Sequence, residues 1–164
     1  MSGTDVGDIA VWAFVEREHR DLGRGLNRMH VVACETGNRA TPELSTLVLG
    51  VLDWLHSTLE PHIAWEEATV YPEIDKRAGT PWATRSARLE HRHIRARIGQ
   101  LRGDWVLLRD HARPERRTNA LADLFALEAL LRAHLDVEEQ LLIPVLTDAA
   151  PMESEHAVSS PAPT

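Results

Sequence analysis

The chain repeats itself once, at an offset of 72 residues. Glu18-His19 recurs as Glu90-His91, and Leu59, His62, Glu66, Glu67 and Pro72 recur as Leu131, His134, Glu138, Glu139 and Pro144. Apolar positions move with them: Leu22 matches Ile94, Leu26 matches Ile98, Met29 matches Leu101, Val70 matches Leu142 and Ile74 matches Leu146. Repeats normally preserve the residues that pack. This one preserves histidines and glutamates as well, so the fold must bring two copies of a polar pattern together inside two copies of an apolar one.

Apolar residues recur at spacings of three and four along four segments, the period of a helix with one buried face. The first runs from about Asp8 to Glu35, with Val15, His19, Leu22, Leu26, Met29 and Ala33 on one stripe. Thr41-Pro42 is read as N-cap and first turn of the second, whose stripe is Leu44, Val48, Val51, Leu55, His62 and Glu66. Thr80-Pro81 is read as starting the third in the same way, with His91, Ile94, Ile98, Leu101, Trp105 and Leu108. The fourth follows Pro114 and carries Leu124, Leu127, Leu131, His134, Glu138, Leu141 and Val145. With short connections between them, the segments predict an all-α, up-down-up-down antiparallel four-helix bundle with an internal two-fold repeat. The bundle is expected over residues 8–149, with a mobile N-terminus at 1–7 and a disordered tail at 150–164. Pro72 and Pro144 predict a kink or a final turn, because proline lacks the backbone donor and disfavours helix before it.

At 164 residues the chain suits one domain with a sizeable core. Neither half could bury its apolar stripes alone. Asp123, Glu128, Arg132 and Asp136 interrupt the most apolar stretch, so no segment reads as a membrane span. The N-terminus carries no basic region or cleavage pattern, and the lone Cys34 builds no disulfide framework. Together these predict a cytoplasmic protein, with Cys34 expected to be a small buried hydrophobe. The net charge of −7 is uneven: residues 85–117 hold ten arginines against four acids. These arginines alternate with an apolar heptad and read as its solvated face. No aromatic interleaving suggests base stacking, so a nucleic-acid partner is not expected.

His19, His62, His91 and His134 occupy stripe positions where leucine is expected, one per helix. Residues four apart on a helix differ by about 40° in direction. Glu66 therefore shares a face with His62, and Glu138 with His134. Such a bundle points four imidazoles and two carboxylates at one interior region. Burying unpaired carboxylates costs several kcal/mol, and no arginine lies at the same level of the stripes. A cation between them resolves the conflict. Nitrogen and oxygen donors without thiolate suit iron, manganese or zinc, and two carboxylates among four histidines suit two metals. A single histidine on an apolar face is usually a hydrogen-bonded core residue, but chance does not readily place His-x-x-x-Glu twice at one offset.

These residues resemble the hemerythrin family, specifically its HHE cation-binding domain. The match covers about residues 12–147, and "HIAWEEATVYP" and "HLDVEEQLLIP" are similar to the family's repeated segment. The resemblance implies a left-handed bundle holding two non-haem iron ions, oxo- or hydroxo-bridged. It makes His19, His62, His91 and His134 terminal ligands and Glu66 and Glu138 bridging carboxylates. Two departures separate the chain from the oxygen-carrying members. Arg95 stands where they have a fifth histidine, and Glu139 where they have an aspartate.

Glu67 and Glu139 point about 140° away from their histidines and are read as helix-edge groups behind the ligands. Glu18 and Glu90 precede ligand histidines and are read as orienting imidazoles or pairing with arginine. His30 is about 16 Å along the helix from His19, too far to share the site. His56 and His93 are expected at the surface, His111 near a helix C-terminus, and His156 in the tail. Tyr71 and Trp65 are candidates to line or close the metal pocket, with ordinary packing the expected role of both. The expected function is that of a di-iron protein that binds or turns over a small oxidant: peroxide, nitric oxide or oxygen. Turnover would make it a peroxide- or nitric-oxide-directed oxidoreductase. The alternative is an iron- or redox-responsive interaction module without turnover. No residue identifies an electron donor or a regulatory partner.

Overall fold

A computed structural model describes residues 6–35, 41–110 and 114–147. Helix α1 is Val6–Glu35. Thr41–Trp54, a π turn at Leu55–Leu59, Glu60–Trp65, a π turn at Glu66–Val70 and Tyr71–Arg77 join end to end as α2. Helix α3 is Arg85–Asp110. Helix α4 comprises Pro114–Val137, a π turn at Glu138–Leu142 and a last turn Pro144–Thr147. Each helix packs against its neighbour in sequence and α1 packs against α4, which closes the up-down-up-down bundle. Residues 1–5 of the expected N-terminal tail, the whole expected C-terminal tail, and His111 and His156 lie outside the described residues, whereas Val6 and Gly7 already belong to α1.

The π turns follow from proline. In each, the residue just before a proline bonds five residues back rather than four: Glu60 to Leu55, Tyr71 to Glu66 and Ile143 to Glu138. Proline brings no N–H and its ring crowds the carbonyl four residues back. A turn with one extra residue relieves both, and such turns favour functional positions. The helix therefore continues past Pro72 to Arg77, while Pro144 opens the last described turn. The extra residue also rotates the buried face. Leu141, expected in the stripe, is 65% exposed, and Leu142, Ile143 and Leu146 are buried instead. Ala133 stands where Pro61 has its repeat partner, and residues 127–131 remain α-helical.

The start of α3 differs from expectation. Thr80 donates its N–H to Asp75 O (3.1 Å) and Gly79 to Lys76 O (3.2 Å) around Gly79 at φ +67°. This is the Schellman end of α2, so Thr80 belongs to that terminus and its hydroxyl accepts from Trp82 N–H. Thr84 precedes the first turn of α3. Its N–H and hydroxyl both donate to the Asp75 carboxylate, at 3.0–3.1 Å, tying α3 to α2.

Two apolar clusters fill the interior. The larger includes Leu22, Leu26, Met29, Leu55, Ile94, Ile98, Leu124 and Leu131. The smaller holds Val15, Val70, Tyr71, Ile74, Ala87, Leu142, Ile143 and Leu146. In every helix the polar stripe residues lie where the larger cluster gives way to the smaller, with Ile63 and Leu135 of the larger one between histidine and glutamate, which makes them one buried polar layer. Several α3 arginines are more than a solvated face. Arg102 pairs with Glu60 at 3.0–3.1 Å, Arg95 with Glu67 and Arg97 with Asp123, binding α3 to both neighbours.

Candidate metal centre

Each helix delivers one histidine to the polar layer: His19 from α1, His62 from α2, His91 from α3 and His134 from α4. Glu66 and Glu138 lie one turn beyond His62 and His134, at the first residue of the two repeated π turns. All six are buried, none above 5% exposure. Their donor atoms form two sets of four, His19-His62-Glu66-Glu138 and Glu66-His91-His134-Glu138, each within 4.8 Å. Both carboxylates belong to both sets. The Nε2 atoms face inward: His62 lies 2.9 Å from Glu66, His19 and His91 3.4 Å from Glu66, and His19 and His134 3.5 Å from Glu138.

This layer is left unsatisfied by protein contacts alone. Both ring nitrogens of His62, Glu66 Oε2 and Glu138 Oε2 are buried without a hydrogen-bond partner. Nε2 of His91 lies 2.9 Å from Nε2 of His134. Burial works against ionised Glu66, but the imidazoles of His19, His62 and His91 beside it outweigh that and hold its carboxyl well below the usual range. Burial and the Glu66 charge push Glu138 well above that range. Two buried carboxylates of opposite tendency, faced by imidazole lone pairs, match what a pair of cations requires. The residues present fit such a group.

A second ring of carboxylates orients the imidazoles. Nδ1 of His19 lies 3.3 Å from Glu139, Nδ1 of His91 3.0 Å from Glu67, and Nδ1 of His134 2.9 Å from Glu90. Carboxylates only accept, so these contacts keep the proton on Nδ1 and leave Nε2 as the inward donor. The first two contacts are related by the repeat. Arg95 grips Glu67 with two bonds of 2.9 and 3.0 Å and holds its carboxyl below the usual range. The departure at Arg95 thus has a structural role: it anchors the group that orients His91.

Several expectations need correction. Tyr71 does more than pack: its hydroxyl donates to Glu138 Oε1 and lies 3.1 Å from His91 Nε2. Burial, then the charges of Glu138 and Glu66, push its ionisation far above the ordinary value. In sequence it is a candidate to line the pocket, with packing its expected role. Cys34 is exposed, because it faces away from the stripe formed by Met29, Val32 and Ala33. His30 lies outside the layer and meets Glu128 at 2.9 Å, while His56 and His93 are exposed as expected. Trp65 packs edge-on against Phe14 and lies 6.1 Å from the His62 ring.

A family model described as the hemerythrin HHE cation binding domain matches residues 10–146. Comparison with curated proteins and with solved structures gave no significant match. Among the described residues, no helix is long and apolar enough to cross a membrane.

Proposed function

The chain belongs to the hemerythrin HHE cation-binding domain family, and from that premise we propose that it is a non-haem di-iron protein acting on a small oxidant. The oxidant classes are peroxide, nitric oxide and oxygen. One observation carries the reading: two four-donor sets share both Glu66 and Glu138. His19 and His62 would hold one ion, His91 and His134 the other, and the two glutamates would join them. When bound, two such ions supply Lewis acidity to an oxidant lying between or beside them.

The protein's own residues define the remaining chemistry. The flanking apolar clusters keep bulk water out of the layer, which strengthens every charge interaction within it. Tyr71 keeps its proton at neutral pH and holds it at Oη, between Glu138 and His91. It is a neutral donor in direct contact with the shared carboxylate Glu138. Arg95 and Glu67 lock the His91 ring, and Glu90 locks His134.

Anaerobic loading of metal-free protein with ferrous iron should give two ions per chain. Oxidation should then produce a near-ultraviolet absorption band. His62→Ala should lose the second ion and the band. A wild-type chain that takes up no iron contradicts the proposal. Peroxide consumption and nitric oxide titration of the loaded protein separate the oxidant classes.

A further inference from the structure

A second polar cluster lies outside the metal layer, where α1 packs against α4. Its centre is Glu128, only 7% exposed. Burial opposes its ionised form, but His30 and Arg132 beside it outweigh that and hold its carboxyl below the usual range. Arg132 donates from Nε to Glu128 Oε1 at 2.9 Å and from its far nitrogen to Asn27 Oδ1, also at 2.9 Å. That leaves Glu128 Oε2 for His30, whose Nδ1 lies 2.9 Å away. A carboxylate only accepts, so the His30 ring proton sits on Nδ1 and the lone pair on Nε2. Nε2 faces Cys34 Sγ at 3.5 Å, and the thiol donates to it. Phe125 of α4 packs edge-on against the same ring, with centres 5.9 Å apart.

The four-residue spacing of His30 and Cys34 alone makes them neighbours on one helix face. What turns the imidazole into a base for the thiol is Glu128, delivered from another helix. The repeat supplies a comparison. His30, Glu128 and Arg132 match Arg102, His56 and Glu60. Those three also meet: Arg102 grips Glu60 at 3.0–3.1 Å, and His56 Nδ1 lies 2.9 Å from it. Cys34 matches Val106. A charged cluster at these positions therefore needs no thiol to join its helices. Cys34 is exposed and His30 half-exposed, so both can be reached from solvent, while the carboxylate behind them is buried.

We propose that Cys34, His30 and Glu128 form a reactive-thiol site that takes a small disulfide, R–S–S–R, and becomes reversibly thiolated. Nucleophile, base and orienting carboxylate stand in the order such sites require. His30 Nε2 takes the thiol proton, and the Nδ1–H bond to Glu128 steadies the imidazolium that results. The Cys34 sulfur attacks one sulfur of the disulfide, and the new S–S bond forms as the old one breaks. R–S⁻ leaves and takes the proton from Nε2 as R–SH. One thiol and one disulfide are consumed and one of each is formed, so no further oxidant or reductant enters. Cys34 is the one cysteine of the chain, so no second thiol of the same chain can displace R–S. The adduct persists until a free thiol reverses the exchange. Oxidation by a hydroperoxide would instead leave a sulfenic acid with no thiol in the chain to resolve it. The site lies apart from the metal layer, and its chemistry does not rest on the di-iron reading.

The test uses the full chain with bis(2-hydroxyethyl) disulfide, an uncharged probe, and follows adduct formation by intact mass between pH 6 and pH 9. At pH 7 the wild type should react about tenfold faster than His30→Gln, because an ordinary thiol is only a few per cent ionised there. The His30→Gln rate should climb about tenfold per pH unit below the ordinary thiol range, while the wild-type rate changes less over the same window. Glu128→Gln should move the profile toward that of His30→Gln, which loss of a purely structural carboxylate would not do. If Glu128→Gln loses its helical circular dichroism, His30→Gln, a change at a half-exposed position, still decides. Dithiothreitol should restore the original mass. Hydrogen peroxide at equal concentration should add oxygen more slowly than the disulfide adds its thiol. A wild type no faster than His30→Gln, a folded Glu128→Gln with an unchanged profile, or faster oxygenation by hydrogen peroxide overturns the proposal.

Discussion

Replacing Glu138 by glutamine should make the metal-free protein more stable while removing one of the two shared carboxylates. Glu138 is 2% exposed and Glu66 1%, with His19 Nε2 within 3.5 Å of both. Burial and the Glu66 charge raise the Glu138 carboxyl, so its ionised form opposes folding. Glutamine keeps the volume, and its amide oxygen can still accept from Tyr71. No cavity opens and that bond survives. Each pKa unit of displacement is worth about 1.4 kcal/mol; allowing for relaxation around the site, the expected gain at neutral pH is about 1–3 kcal/mol. For a chain of this length that is about 2–4 °C in Tm per kcal/mol. Between the ordinary value of 4.5 and the raised native value, native Glu138 holds a proton that the unfolded chain releases. Stability contributed by this group is therefore present at low pH and falls as pH rises through that window. Glu138→Gln should flatten that slope. Thermal unfolding in chelator between pH 8 and pH 5 reads both effects. With ferrous iron the ranking should reverse, because only the wild type gains the full stabilisation of ligand binding to the native state. A metal-free Glu138→Gln protein less stable than wild type at pH 7, or a wild type without the pH slope, would refute the reasoning.

Other substitutions probe the surroundings. Arg95→Leu frees Glu67 from its two bonds and should lower metal affinity about 10–100-fold, measured by competition with a chromophoric chelator. Glu67→Gln should act in the same direction. A Cβ at Gly25 would collide with the Trp54 ring, so Gly25→Ala should cost about 1–3 kcal/mol in denaturant unfolding despite alanine's better helix propensity. Asp123 is buried with Oδ2 unpartnered, and burial and neighbouring Asp104 raise its carboxyl. Asp123→Asn should therefore stabilise by about 1 kcal/mol at neutral pH, with the advantage shrinking as acid protonates the wild-type group.

The six-residue layer was legible because its signals are periodic. His19, His62, His91 and His134 interrupt apolar stripes at one level, and the 72-residue offset duplicates the His-x-x-x-Glu pair. Any regular helix that buries Leu59 and Leu131 brings those residues along. The π turns were less legible, because proline alone predicts a disturbance but not whether the helix breaks or widens. Leu141 was misread for that reason: one extra residue rotated the stripe away from it. The Tyr71 contact was less legible because it joins α2 to Glu138 on α4 and depends on how the two helices are rotated against each other. Thr80-Pro81 carries a valid start signal, but the preceding Gly79 claims Thr80 for the end of α2. Pairings such as Arg95 with Glu67 join different helices and depend on their relative rotation, which local sequence does not encode.

The account's central claim is that Glu66 and Glu138 join two metal ions, each completed by two histidines. Crystals of anaerobically iron-loaded protein, measured at the iron absorption edge, test it directly. The account predicts two anomalous peaks about 3.5–4 Å apart, one beside His19 and His62 and one beside His91 and His134, with both carboxylates between them. A single peak, peaks elsewhere in the bundle, or none at all would contradict it.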